Sequence, residues 1–389
     1  MGHRLITARI HVSLSAVISL SAFLLTLSAS AQTSTAKSAS LVPSTPTSGP
    51  WEMQNSTTNA SLRGIHAVGG GIAWASGANG TILRTEDGGY MWQSCAMPPG
   101  AEKLDFRGIW AWDANTAVVM SSGPGDLSRL YKTTDGCSSW KLLYTNPDKD
   151  GFWDAITFSD RNRGLILGDP VDGRFVLLFT LSGGKSWERV VSDGLSAGKS
   201  KIGAFAASNS SMLDAGSYSP WFGTSGPGGP YVYMVSSTCT NFETPKSCLS
   251  FERQELPMAG TSASTGAFSL ASDADSNLVA VGGDYLKPNE SAGTAAYTYH
   301  LGRVDYPVHL GKTWTAATKP PHGYRSTVAW DAADKAWIAA GTNGSDVSYD
   351  DGRTWQYLDS GNWNALSLPW VVGPEGRIAK LVSLKAAGK

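Results

Sequence analysis

Short apolar runs separated by glycine or asparagine–glycine turns recur along most of this chain. Leu62 to Met97 shows the unit as LRGIHAV, IAWASG, GTILRTEDGG and MWQSCAM, four stretches of strand length with turn residues between them. Further units open with FRGIWAW at Phe106 and FWDAITF at Phe152. No long stretch carries apolar residues at the 3.6-residue spacing of an amphipathic helix. Each unit ends in one recurring turn, fullest at Ser348-Tyr349-Asp350-Asp351-Gly352-Arg353-Thr354-Trp355. Ser348 and Asp350 are short polar side chains that can bond nearby backbone amides, and Gly352 supplies the positive φ of a tight turn. Thr354 and Trp355 start the next strand, where β-branched and aromatic residues suit a half-buried sheet.

The copies of this turn set the architecture. They fall at Thr85, Asp87, Gly89 and Trp92, and at Thr133, Asp135, Ser139 and Trp140 with Cys137 where glycine is expected. A third has Thr180, Gly184, Ser186 and Trp187, with Ser182 replacing the aspartate. Ser250-Phe251-Glu252-Arg253 echoes Ser186-Trp187-Glu188-Arg189, which makes Phe251 the tryptophan equivalent. Gly311-Lys312-Thr313-Trp314 follows His309 at the aspartate position. Trp51-Glu52-Met53-Gln54 reads as an outer strand with no repeat before it, and Trp363 to Lys380 as strands of a last repeat that lacks its tryptophan. The markers at 51, 92, 140, 187, 251, 314 and 355 predict an all-β fold: one seven-bladed β-propeller of four-stranded blades, its last blade closed by the N-terminal strand. A pair of β-sandwiches would not repeat a turn-tryptophan at this period.

Composition agrees and adds the compartment. The 389 residues include 44 Gly, 15 Trp and 13 Tyr with 16% charged. Residues 1–31 read as a signal peptide: Arg4 and Arg9, an apolar run centred on Val17 to Leu27, and Ala29-Ser30-Ala31 as a small-residue cleavage site. Residues 32–50, rich in Ser, Thr and Pro, read as a flexible linker, leaving 51–389 for the propeller. The expected product is exported, periplasmic or secreted, with no membrane span once the signal is cleaved, and a monomer. Removing Arg4 and Arg9 takes 31 basic residues to 29 against 32 acidic ones, a net charge of −3 that argues against nucleic acid as a partner. Four cysteines in an exported chain suggest two disulfides. Cys239 and Cys248 are close in sequence, which would leave Cys95 to pair with Cys137, although three connectivities are possible. The six histidines are scattered, and neither a metal-ligand spacing nor a cofactor motif is present.

The recurring turn resembles the Asp box of bacterial-neuraminidase-type repeats. Together with GDPVDGRF at 168–175, GGDYLKP at 282–288 and NALSLPWVVGPEGRIAKL at 364–381, it makes residues 51–385 similar to exported propellers of the photosystem II stability/assembly factor-like family. In photosynthetic members this resemblance implies a chaperone-like factor that binds photosystem II subunits. As residues of the recurring turn, Asp87, Trp92, Asp135, Trp140, Trp187, Trp314, Asp350, Gly352 and Trp355 read as structural. The inserts in the fourth and fifth repeats depart from the compact photosynthetic form.

Candidate binding residues fall on the face opposite these turns. The first positions of the innermost strands include Arg63, Arg107 and Arg325, with Trp153 and Trp363 expected in the same slot of two other repeats. Loops between the second and third strands are expected to add Asp169, Tyr218, Trp221, Asp284 and Tyr285. Arginines beside aromatic rings suit a carboxylate or a peptide segment, so the expected function is a non-catalytic binder of a protein or peptide. A sialidase-like glycoside hydrolase or a carbohydrate-binding propeller is the alternative. The former needs an arginine triad, a Tyr/Glu pair and an acid/base aspartate. Arg63, Arg107 and Arg325 supply only a superficial triad, and no catalytic set is complete.

Overall fold

The computed structural model describes residues 49–198, 201–214, 219–237, 249–299 and 313–384. The expected signal segment, Tyr218 and the Cys239/Cys248 pair lie outside them. Seven four-stranded antiparallel sheets follow one another, each in the order A-B-C-D. Blade 1 comprises Leu62–Gly69, Ile72–Gly77, Ile82–Thr85 and Gln93–Ser94; blade 2 comprises Phe106–Ala111, Ala117–Ser121, Arg129–Thr133 and Lys141–Thr145. Blade 3 has Trp153–Phe158, Gly164–Val171, Arg174–Thr180 and Glu188–Arg189; blade 4 has Met212–Asp214, Pro220–Gly223, Tyr231–Ser237 and Ser250–Glu255. Blade 5 has Thr265–Ser272, Leu278–Asp284, Ala295–Thr298 and Thr315–Ala316, and blade 6 has Thr327–Asp331, Ala336–Gly341, Gly344–Ser348 and Gln356–Asp359. Blade 7 joins Ala365–Ser367, Trp370–Val372 and Ile378–Leu381 to the N-terminal strand Trp51–Gln54, which pairs antiparallel with Ile378–Leu381. The protein is a seven-bladed β-propeller closed by its N-terminal strand. No described helix is long and apolar enough to cross a membrane.

The middle strands are covered on both faces, which is why runs such as AVVMS and AWIAAG are continuously apolar and small. Seven hydrophobic clusters fill the seven blade interfaces, from the Trp74/Phe106/Tyr131 cluster between blades 1 and 2 round to the Leu62/Trp370/Ile378 cluster between blades 7 and 1. Each marker aromatic packs on the blade before its own. Trp140 lies in the blade 1–2 cluster, Trp187 in 2–3, Phe251 in 3–4, Trp314 in 4–5, Trp355 in 5–6, Trp51 in 6–7 and Trp92 in 7–1. The tryptophan recurs because every interface needs one large apolar filler at the same place.

The recurring turn joins strands C and D. In blade 6 the Ser348 hydroxyl donates to Asp350 (2.9 Å) and accepts from the Gly352 amide (3.0 Å), while Asp350 accepts from the Thr354 amide (2.9 Å). Ser182 takes the aspartate's place in blade 3, accepting from the Ser186 amide at 3.0 Å. Cys137 sits at φ 64°, the conformation its glycine counterparts adopt, and is bonded to Cys95 with a Cα–Cα distance of 5.3 Å. The substitution that breaks the turn pattern therefore staples blade 2 to blade 1.

Candidate ligand-binding site

The site is built on β-bulges in the innermost strands. The strand A–strand B register skips one residue between Leu62 and Gly64, Phe106 and Gly108, Trp153 and Ala155, and Ala267 and Ser269. The extra residues are Arg63, Arg107, Asp154 and Phe268. A bulge frees a residue from the ladder and re-aims its side chain. The glycines after the two arginines are required by packing. A Cβ on Gly64 would lie 2.9 Å from the Arg107 carbonyl oxygen, and one on Gly108 would lie 2.9 Å from Ile156 Cγ2.

Arg63 and Arg107 flank one carboxylate. Asp105 Oδ2 accepts from Arg107 Nε at 2.8 Å and lies 4.0 Å from Arg63 Nε. Arg63 makes no hydrogen bond among the described residues, although only 29% of its side chain is exposed. Burial, and next the charge of Arg107, lower its pKa, so this is a cation short of a counter-ion. Asp105 Oδ1 is also buried without a partner.

Across from the arginines stands an aromatic wall. Phe268 meets Phe205 and Tyr324 with ring centroids 4.3 and 5.3 Å apart, and Tyr285 lies 5.4 Å from Phe205 and 6.5 Å from Tyr324. Phe268, Tyr324 and Ala207, with Phe205 packed on them, form an eighth cluster at the channel, separate from the seven interface clusters. Burial raises the Tyr324 phenol, and the charges of Arg63 and Arg107 act against that shift, which places it near both guanidiniums.

The floor is the segment that leads into blade 4. Ala204 N donates to Asp169 Oδ1 (3.0 Å) in blade 3, and Ala206 O accepts from Arg107 Nη1 (3.2 Å) in blade 2. Asn209 Oδ1 accepts from Ile156 N at 2.8 Å, Ser208 Oγ donates to Ser326 O at 2.7 Å, and Ser210 Oγ pairs with Ser269 Oγ at 2.7 Å. Residues 204–210 thus bond to blades 2, 3 and 5 and to Ser326 beside blade 6, crossing the channel. Two acids lie at this floor. Asp154 is fully buried, has an unpartnered Oδ2, and is pushed well above the usual carboxylate range by burial and by the charge of Asp169. Burial pushes Asp169 up to about 6.

Of the residues expected here, Arg63, Arg107, Asp169 and Tyr285 come together. Asp284 stands beside Tyr285 and caps its turn, accepting from Leu286 N at 3.0 Å. The others differ. Arg325 is fully buried, its guanidinium bonded to Asp346, the Tyr324 carbonyl and Asn343, so it braces blade 6. Trp153 pairs with Gly168 as Leu62 pairs with Gly77, one residue off the arginine slot, and a one-residue slip sends it into the blade 2–3 core. Asp154 takes the slot instead. Trp363 fills the blade 6–7 core with its indole N–H on Asp359, and Asn364 beside it donates to Leu62 O at 2.7 Å. Trp221 lies within strand B of blade 4, in the blade 4–5 core, and not in a loop between the second and third strands. Asp105, Asp154, Phe205, Phe268 and Tyr324 were not expected here. The signal for Asp154 and Phe268 was the residue after the first apolar position of each strand A.

Two solved structures share the fold over most of both chains. One, "YCF48 bound to D1 peptide", matches at TM-score 0.58 and 17% identity, covering 86% of this chain and 97% of that one. The other, YCF48 from Cyanidioschyzon merolae, matches at 0.59 and 17%, covering 86% and 98%. An ancestral GH74 enzyme reaches only 0.48 at 14% identity, over 83% of this chain and 41% of that one. No family model and no curated protein sequence matches the chain.

Proposed function

We propose that this protein is an exported, non-catalytic propeller that binds an acidic group of a protein or peptide partner in the cup formed by Arg63, Arg107 and the aromatic wall. One observation carries the reading. Arg63 is a largely buried guanidinium with no hydrogen bond among the described residues, set beside a second arginine and near the Tyr324 phenol. Such a pair favours an anion strongly in a site of reduced dielectric. A propeller of the same fold solved with a peptide bound supports the reading. The Cys95–Cys137 bond fits export, which residues 1–31 would direct.

The test is partner recovery from a periplasmic extract on wild-type protein and on the Arg63→Gln/Arg107→Gln variant. Loss of the partner on the variant is expected, and equal recovery would remove the cup as the site. The buried acids Asp154 and Asp169 keep one rival reading in view, a glycoside hydrolase with Asp169 as its acid. Glycoside cleavage abolished by Asp169→Asn would establish that rival.

A further inference from the structure

We infer that the protein carries a binding site separate from the cup, for a neutral carbohydrate, in a cleft where the ring closes. The cleft holds about 390 Å³ between residues 53–59, which follow the N-terminal strand, and the turn at 375–377 of blade 7. That is room for a small ligand. None of its lining residues belongs to the Arg63/Arg107 cup. Its first ground is that the walls are built in advance. Gly376 N donates to Ala60 O at 2.8 Å, and a Cβ on Gly376 would stand 1.7 Å from Thr58 O, so the blade 7 turn packs directly on the loop. Ser56 is buried, and its hydroxyl donates to Thr58 O at 3.3 Å. A ligand here need not order the chain that holds it.

The second ground is what the walls leave unspent. Asn59 and Glu375 line the cleft, are exposed, and make no hydrogen bond among the described residues. Asn55 uses its Oδ1 to accept from Thr57 N at 3.1 Å, and its amide donors bond nothing among the described residues. Arg377 places its guanidinium 5.6 Å over the Trp363 ring, bonds the Asn362 carbonyl at 3.5 Å, and forms no ion pair among the described residues. Two lining residues also hold an unfavourable backbone. Thr57, at φ 59°, is the one β-branched residue at positive φ among the described residues, and Glu375 lies at φ 58°. Strain of this kind concentrates at sites of function.

The third ground is chemical, and it selects the ligand. Glu375 only accepts hydrogen bonds, Arg377 only donates, and the amides of Asn55 and Asn59 do both. An anion would satisfy Arg377 and oppose Glu375, and a cation would do the reverse. Neighbouring sugar hydroxyls donate and accept side by side without charge. A peptide main chain is gripped by free backbone groups of its receptor. Here backbone groups of the two walls are taken, Gly376 N by Ala60 O and Arg377 N by Pro374 O at 3.1 Å. Met53, 51% exposed, and Arg377 also border a neighbouring cleft of about 440 Å³ lined by Pro50, Trp51 and Trp363. The less polar face of a sugar chain can lie over Met53, with one unit in the polar cleft and the next in this more apolar one.

The experiment tests the full chain against immobilised hexamers of glucose, xylose, mannose and N-acetylglucosamine, against uronic acid hexamers, and against hexapeptide amides. Calorimetric titration with the best-captured hexamer follows. Capture of a neutral hexamer is expected, with affinity at least about tenfold lower in Asn59→Ala/Glu375→Gln. That variant should keep the wild-type thermal midpoint, because neither side chain makes a hydrogen bond among the described residues. Arg63→Gln/Arg107→Gln should bind the hexamer as wild type does, which separates this site from the cup. Capture of no neutral hexamer, stronger capture of uronic acids or peptides that depends on Asn59 and Glu375, or hexamer binding indifferent to both residues would each overturn the inference. Loss of hexamer binding in the double-arginine variant would overturn it as well.

Discussion

Closure of the ring should depend on one glutamine. Gln54 ends the N-terminal strand, and its Oε1 accepts from Trp92 Nε1 of blade 1 at 2.8 Å and from Trp370 Nε1 of blade 7 at 3.2 Å. Both indoles are almost fully buried, and their rings meet edge to face at 6.2 Å. Gln54→Ala leaves two buried N–H donors without an acceptor. Each such loss costs about 1–3 kcal/mol, and the outer-strand position lets water recover part of it, so the expected loss is roughly 2–4 kcal/mol. In a domain of this size that corresponds to a midpoint lower by roughly 3–6 °C. The assay is reversible urea unfolding followed by tryptophan fluorescence, with calorimetry alongside. Gln54→Glu is the control. Its carboxylate can accept both bonds, so its folded-state pKa should lie below the unfolded value. Its stability should then match wild type at pH 7 and fall as pH drops through that lowered pKa. A Gln54→Ala protein within about 0.5 kcal/mol of wild type would refute the lock.

Three further outcomes follow from the site and the staple. Burial raises Asp169 from 3.8 to about 6, so the folded state holds this proton more tightly than the unfolded chain. Stability therefore falls between about pH 4 and pH 6 and stays lower above, and Asp169→Asn should gain roughly 2 kcal/mol at pH 7.5 and flatten that slope in urea titrations. Arg325→Met leaves the fully buried Asp346 with His322 as its one side-chain partner among the described residues. It should cost about 3–5 kcal/mol in unfolding experiments and spare partner binding in the folded protein, the reverse of Arg63→Gln. Removing the disulfide as Cys95→Ala/Cys137→Ala should cost roughly 2–4 kcal/mol, and Cys95→Ala/Cys137→Gly about 1 kcal/mol less, because residue 137 sits at φ 64°. Equal unfolding midpoints for the two double variants would contradict the glycine-like role of that position.

The architecture was legible because its signal is local and repeated. The hydroxyl–aspartate–glycine turn needs only neighbouring residues, and the tryptophan after it fills an interface that recurs seven times. The strand paired with Ile378–Leu381 could be found from its unmatched Trp51. The cup was half legible, since Arg63 and Arg107 share the motif Arg-Gly-Ile. What failed was register. The bulges shift the channel-facing position by one residue, so Trp153 read as a lining residue when Asp154 held the slot. Arg325 followed an aromatic as the other arginines do, yet its charge is taken up by Asp346, 21 residues on, a pairing that spacing does not reveal. The floor at 204–210 carries no repeat signature, because it meets a different partner on every blade it touches.

The claim that binding occurs at the Arg63/Arg107 mouth is tested most directly by site-specific photo-crosslinking. A photoreactive phenylalanine would be placed at Leu286, on the rim, and separately at Tyr90, which is 96% exposed in the strand C–D turn of blade 1 on the opposite face. The account predicts one partner adduct from position 286, none from position 90, and loss of the former with Arg63→Gln/Arg107→Gln. Adducts from position 90 alone, or a 286 adduct indifferent to both arginines, would contradict it.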